Sequence, residues 1–230
     1  MSRTKRFWQF RSLVLLFAIV FGLCAAAAMF PDALETMAKS PQMASPEHVY
    51  KVVIDAGHGG KDPGAAGASG REEKEFTRAL SQQIYELLKQ EPMFDPYLTR
   101  SDDTFIALQD RALLANDLDA DALISIHGNT YADPDVGGTE TYYFSADSKP
   151  LAQALHEHLI QAQGSRDRGV GKYDWTVLTY SEVPAVLTEV GYLTNPGEEA
   201  VMWSADGQRR TAEAIVDGFK QYFTENPKRF

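Results

Sequence analysis

The chain has 230 residues, 44% hydrophobic and 23% charged, which is enough for one ordinary globular domain with length to spare at an end. That excludes a disulfide-stapled miniprotein, a fibre and a long disordered tail, and 22 basic against 32 acidic side chains, a formal charge of -10, leave no electrostatic footprint for DNA or RNA. The lone Cys24 has no intramolecular partner and sits in an apolar run, so thiol chemistry is not expected.

The first 28 residues read as an export segment. Arg3, Lys5, Arg6 and Arg11 precede an uncharged run from Ser12 to Ala28, and small residues at Ala26 and Ala28 fit a cleavage point before Met29. A retained membrane anchor through residues 12–28 is the competing reading, because the run is only slightly shorter than the roughly 20 residues that span a bilayer. Leu23 before Cys24 argues against lipidation. Either way the domain is expected outside the cytoplasm, extracellular or in the cell envelope. Without the segment the chain keeps 18 basic and 32 acidic groups, a net charge of -14. Residues 29–49, with three prolines and no sustained periodicity, read as a linker.

From Tyr50 to about residue 225, apolar runs of strand length alternate with helix-period segments. The pattern predicts a single α/β domain, a mostly parallel twisted sheet flanked by helices in the phosphorylase/hydrolase-like manner. Expected strands are Tyr50–Asp55, Tyr97–Thr99, Ala122–His127, Thr139–Phe144 and Ala185–Glu189. Expected helices are Glu72–Gln90, opened by a Ser69/Glu72 capping box, Ile106–Asn116, Leu151–Gln163 and Arg210–Phe223. In the last, Ala212, Ile215, Val216, Phe219 and Tyr222 form one stripe.

Ligands of open α/β sheets sit beyond the carboxyl ends of the strands, and three strands end on ionisable groups. The first runs into Asp55-Ala56-Gly57-His58-Gly59-Gly60, the third ends on His127 and the last on Glu189. Glycines on both sides of His58 permit a tight turn that leaves the ring open. On the following helix, Phe76, Leu80, Ile84 and Leu87 mark a buried stripe at about 100° per residue, and Glu73 projects into it, where a carboxylate is costly unless paired or metal-bound. Glu72 and Glu75 need no such account, since acidic residues suit a first helical turn. Two histidines and one glutamate with an open fourth position form a catalytic zinc ligand set. His58 and His127 supply the imidazoles; on these arguments either Glu73 or Glu189 supplies the carboxylate. His156 and His158, two apart on a helix, point about 200° from each other and do not share a metal; they are expected on the flank of their helix. His48 has no partner nearby in sequence, and Gly57–Gly60 lacks the spacing of a nucleotide-binding loop.

The stretches Ile54–Ala65, Leu98–Arg100, Arg111 with Ala115-Asn116, Ser125–Asn129, Gly138–Thr141, Arg168–Val170 and Pro184–Asn195 follow in order an arrangement that resembles the zinc-dependent N-acetylmuramoyl-L-alanine amidases of the Amidase_3 type. The likeness runs from about Lys51 to Phe223, with Gly128-Asn129-Thr130 standing where the family usually shows Ala-Asn-Ala. The resemblance implies one Zn2+ on His58, Glu73 and His127, with Glu189 as the catalytic carboxylate. It thereby chooses between the two glutamates. The implied reaction is hydrolysis of the amide between the lactyl group of N-acetylmuramic acid and L-alanine in peptidoglycan. Asn129 and Arg100 are candidates for orienting groups, and Glu140 for holding a ligand histidine from behind. Another zinc peptidase or deacetylase of the wall, or an inactive wall-binding module, are the alternatives. No wall-binding repeat and no long blocking helix between strands is visible, so an open groove is expected, with peptidoglycan as partner, no nucleic acid, and no regulatory partner identified.

Overall fold

The computed structural model describes residues 48–227; the export segment and most of the linker lie outside them. Six strands form one sheet: β1 (Tyr50–Ala56), β2 (Phe94–Leu98), β3 (Ala122–Asn129), β4 (Thr139–Tyr143), β5 (Asp167–Lys172) and β6 (Ala185–Tyr192), in the order β2-β1-β3-β6-β4-β5. The helices are α1 (Glu73–Leu88), α2 (Leu108–Asp117), α3 (Lys149–Gln163), α4 (Thr176–Thr179), α5 (Pro196–Trp203) and α6 (Ala205–Glu225). All neighbours pair in parallel except β4 with β6.

The central strands are apolar on both faces because helices cover both. Val52, Ile54, Ile124, Ile126, Val186 and Val190 pack under α1, α3 and α6, whereas Val53, Leu123, Ala185 and Leu187 pack on the other side with Ala115 of α2 and Val177 and Leu178 of α4. The expected stripe of α6 is buried throughout, and the helix starts five residues earlier than expected, where the Ser204 hydroxyl caps it by accepting from Gly207 N. Among the described residues no helix is long and apolar enough to cross a membrane.

Several boundaries differ from the sequence reading. β2 begins at Phe94 and contains Pro96, which a strand at the edge of the sheet tolerates. Thr99 turns away from it, donating its hydroxyl to Asp55 at 2.7 Å. The Ser69/Glu72 capping box does not form. Glu72 is the N-cap residue of α1 without a side-chain cap, and the Ser69 hydroxyl instead donates to Glu199 of α5 at 2.6 Å. Leu88, rather than Leu87, completes the buried stripe of α1. β5, α4 and α5 were not anticipated: β5 is a charged, glycine-bearing edge strand, and α4 and α5 are only four and eight residues long.

β1 connects to β2 on one side and has β3 on the other, so the chain reverses its direction of travel between β1 and β3. A crevice opens at such a switch point, beyond the carboxyl ends of the strands. Here it falls between the loop after β1 and the end of β3.

Candidate metal centre and catalytic cleft

His58 follows β1 with φ of +61°, a left-handed conformation that a side-chain-bearing residue adopts only when its surroundings enforce it. Arg111 of α2 is one enforcer. Its guanidinium, 2% exposed, donates to His58 O at 2.8 Å, to Ala56 O at 2.7 Å and to the buried Asp55 carboxylate at 2.8 Å. Asp55 also accepts from the hydroxyls of Thr99 and Ser125, so β1, the turn after β2, β3 and α2 meet on one carboxylate. Arg100 holds the same loop from the other side, donating to the carbonyls of Ala56, Gly57, Lys74 and Asp102 and to Thr77 Oγ1. It does not line the cleft; it orients backbone.

His127 lies two residues before the end of β3, at a register irregularity between His127 and Asn129, a device that re-aims side chains. Glu73, in the first turn of α1, lies between the two imidazoles: Oε1 is 3.1 Å from His58 Nε2 and 3.0 Å from His127 Nδ1. Gly128 N donates to the same oxygen and Ala65 N to Oε2. One ligand atom from each of the three residues falls within 4.8 Å of the others, and among the described residues this is the group arranged to hold a metal ion. Asp62 accepts from His58 Nδ1 at 2.9 Å, fixing that ring with Nε2 turned inward. Burial opposes charge on all three residues, but the hydrogen bonds between the rings and the carboxylate outweigh it; Glu73 is held well below the usual carboxylate range and both histidines are raised. The donor set, two nitrogens and one oxygen held by backbone amides and an outer carboxylate, fits zinc.

Two glycines make this approach possible. A Cβ on Gly57 would stand 2.5 Å from His127 Cε1, and one on Gly64 would stand 2.7 Å from Glu73 Oε2 and from His58 Cδ2.

Glu189 lies on β6 in register with His127 and outside the three-residue group. Its Oε2 is buried without a hydrogen-bond partner. Burial, with Glu73 and Glu140 nearby, pushes its carboxyl up to about 7 against the opposing pull of His127. A cleft of about 470 Å³ contains His58, Glu73, His127 and Glu189, and is walled by Asn129, Leu108, Tyr142 and Trp175 among others. Asn129 accepts from Thr130 N with its side-chain oxygen. Glu140 bonds to other partners than the histidines: it accepts from Tyr142, Tyr192 and Arg168 and so braces β4 against β6 and β5.

The remaining histidines have other partners. His156 is buried rather than on a flank, bonded to Thr141 and Asp167, and His158 meets Gln221. His48 pairs with Asp121 at 3.5 Å, a partner far along the chain. Sequence reasoning overlooked Asp62, Asp55, Tyr142 and Trp175. A carboxylate four residues after His58 was a usable sign for Asp62; the others depend on strand neighbours.

The family model described as Amidase_3, N-acetylmuramoyl-L-alanine amidase, matches residues 52–221. The chain belongs to this family. It is an N-acetylmuramoyl-L-alanine amidase by that match and by its likeness to characterised relatives. The amidase is 39% identical over 194 residues to YqiI of Bacillus subtilis strain 168, an uncharacterized protein, covering 83% of this chain and 93% of YqiI. It is 36% identical to the N-acetylmuramoyl-L-alanine amidase LytC of the same organism over 79% of this chain, but spans only 37% of LytC. Among solved structures, the catalytic domain of CwlV, an N-acetylmuramoyl-L-alanine amidase from Bacillus (Paenibacillus) polymyxa var. colistinus, superposes with a TM-score of 0.75 at 43% identity, covering 76% of this chain and 99% of that one. An N-acetylmuramoyl-L-alanine amidase from Clostridium difficile 630 gives 0.76 at 35% identity, covering 79% of this chain and 100% of that one.

Proposed function

We propose that this amidase hydrolyses the bond between the lactyl carbonyl of N-acetylmuramic acid and the amine of L-alanine in peptidoglycan, with one zinc ion held by His58, Glu73 and His127. The convergence of His58 Nε2 and His127 Nδ1 on the buried Glu73 carboxylate, with Glu189 opposite His127 in the same cleft, supports this reading most strongly. When bound, zinc supplies a Lewis acid to the scissile carbonyl and lowers the pKa of water. Glu189 takes the proton from the attacking water at its carboxylate and delivers it to the leaving nitrogen of L-alanine. Its buried Oε2 has no hydrogen-bond partner of its own, which leaves that oxygen available to accept the proton. Asp62 keeps His58 in the tautomer that leaves Nε2 free for the metal.

The first 28 residues direct the domain out of the cytoplasm, by cleavage or as an anchor, and residues 29–49 tether it. Extracellular or envelope action agrees with relatives such as the probable cell wall amidase LytH of Staphylococcus epidermidis. A net charge of -14 after removal of the segment gives no attraction to anionic wall polymers, so recognition rests on the cleft. The four site residues already line one cleft of about 470 Å³. The related CwlD of Clostridioides difficile was solved with the GerS lipoprotein, and activity of this chain alone is the contrasting expectation.

Incubating the purified protein with peptidoglycan and identifying the new ends by mass spectrometry tests the reading. Free L-alanine amino termini on intact glycan strands are expected; new reducing sugars or cuts within the peptide would refute it.

A further inference from the structure

Where β4 and the start of α4 line the cleft, three aromatic rings pack together. Tyr142 of β4 meets Tyr173 at 5.7 Å and Trp175 at 6.5 Å between centroids, and Tyr173 meets Trp175 at 4.7 Å. Tyr142 packs against the core on that face of the sheet, but the other two rings reach solvent. Tyr173 is 48% exposed and Trp175 41% exposed, and Tyr142 and Trp175 both line the cleft that contains Glu189. Its backbone is fixed, since Tyr173 N donates to Tyr143 O and extends the β4/β5 edge, while Trp175 O accepts from Leu178 N and Thr179 N at the start of α4. Tyr142 is anchored through its hydroxyl to Glu140. Such a rigid, half-exposed aromatic face beside a reactive centre gains by covering an apolar ligand face.

Charge selects the occupant. The ionisable groups that line the cleft are His58, His127, Asp55, Asp62, Glu73, Glu189 and Arg111, and Arg111 is already engaged by Asp55 and backbone carbonyls. The lining also holds the uncharged Leu108, Thr176, Val177 and Leu187, and Glu140, which holds the Tyr142 hydroxyl, is not part of it. Of the two parts of a muropeptide, the stem peptide carries free carboxylates and the glycan sugars of N-acetylglucosamine and N-acetylmuramic acid linked to it present C–H faces and amides.

We propose that Tyr142, Tyr173 and Trp175 form a glycan subsite, on which one pyranose ring of the substrate strand stacks by its C–H face while the lactyl amide reaches Glu189. This assignment rests on the amidase reading above. It makes Trp175 a specificity-determining residue that favours glycan-bearing substrates over peptides carrying only a lactyl group.

The test compares kcat/KM for a disaccharide-bearing muropeptide and for the matching lactyl peptide without sugars, in the full chain and in its Trp175→Ala, Trp175→Phe and Tyr173→Ala variants. Trp175→Ala is expected to lower the preference for the sugar-bearing substrate about tenfold, mostly through KM, the affinity that burial of roughly 60 Å² of ring face supplies. Trp175→Phe, which keeps an aromatic face, restores most of it. Tyr173→Ala, an exposed position, lowers the preference without threatening the fold. An unchanged preference in all three, or a larger loss on the sugar-free peptide, overturns the subsite and leaves the amidase reading standing. Failure of the wild-type protein to release L-alanine amino termini from either substrate overturns both.

Discussion

Arg111→Met isolates the device that holds the loop after β1 in its left-handed turn. The Arg111 and Asp55 side chains are only 2% and 1% exposed, and the 2.8 Å pair between them is supplemented by guanidinium bonds to the carbonyls of Ala56, His58 and Ile106. Methionine keeps much of the aliphatic stem but leaves the buried Asp55 charge with only the Thr99 and Ser125 hydroxyls as partners. Removing one partner of a buried pair costs about 3–5 kcal/mol, a large share of the 5–15 kcal/mol that typically holds a domain together. Urea unfolding should therefore show a lower midpoint, by that free energy divided by the slope, at unchanged slope. Asp55→Asn removes the stranded charge, so the double variant should be less destabilised than the sum of the singles, with a coupling of about 2 kcal/mol. Metal affinity should fall together with stability, because the carbonyl of His58 loses its donor. A cost below about 1 kcal/mol for Arg111→Met, or strict additivity in the cycle, would refute the reasoning.

Gly57→Ala drives a methyl into His127 and into Ile126 O; competition with a chromogenic chelator should show at least about tenfold weaker zinc binding, comparable to loss of an outer partner. Asp62→Asn leaves His58 Nδ1 without its carboxylate, and about 10–100-fold loss of metal affinity or activity is expected. In metal-free protein, Glu189 has a folded pKa raised to about 7 from 4.5, so ionising it opposes folding increasingly as pH rises from 4.5 to 7. Glu189→Gln should accordingly gain stability relative to wild type between pH 5 and pH 8, by at most about 3 kcal/mol. A difference in unfolding midpoint that does not change with pH would contradict that account.

The parts of the fold legible in the sequence are those where one physical signal dominates. Val52-Val53-Ile54 and Leu123-Ile124-Ser125-Ile126 are apolar on both faces and so announce parallel central strands, and the stripe of α6 announces its packing face. β5 escaped because Asp167–Lys172 is charged, contains Gly169 and Gly171, and pairs only at an edge. The capping box failed because Ser69 has a stronger partner in Glu199, 130 residues away, which no local rule detects. At the site, His58 and His127 are legible as strand-end histidines, and Glu73 as a carboxylate on the wrong face of its helix. Whether Glu73 or Glu189 meets the rings depends on where α1 docks over β1 and β3, information that spacing along the chain does not hold. Glu140 sits next to Glu189 across β4 and β6, yet its carboxylate turns to Tyr142, Tyr192 and Arg168, a choice made by side chains from β5 and β6.

The division of labour between metal ligands and Glu189 is tested most directly by measuring zinc content and amide cleavage on the same preparations of wild type, His58→Ala, His127→Ala and Glu189→Gln. One zinc per chain with release of L-alanine amino termini is expected for wild type, loss of both for the histidine variants, and retained zinc with cleavage lowered at least about 10²-fold for Glu189→Gln. Full zinc occupancy in either histidine variant, or undiminished cleavage by Glu189→Gln, would contradict it.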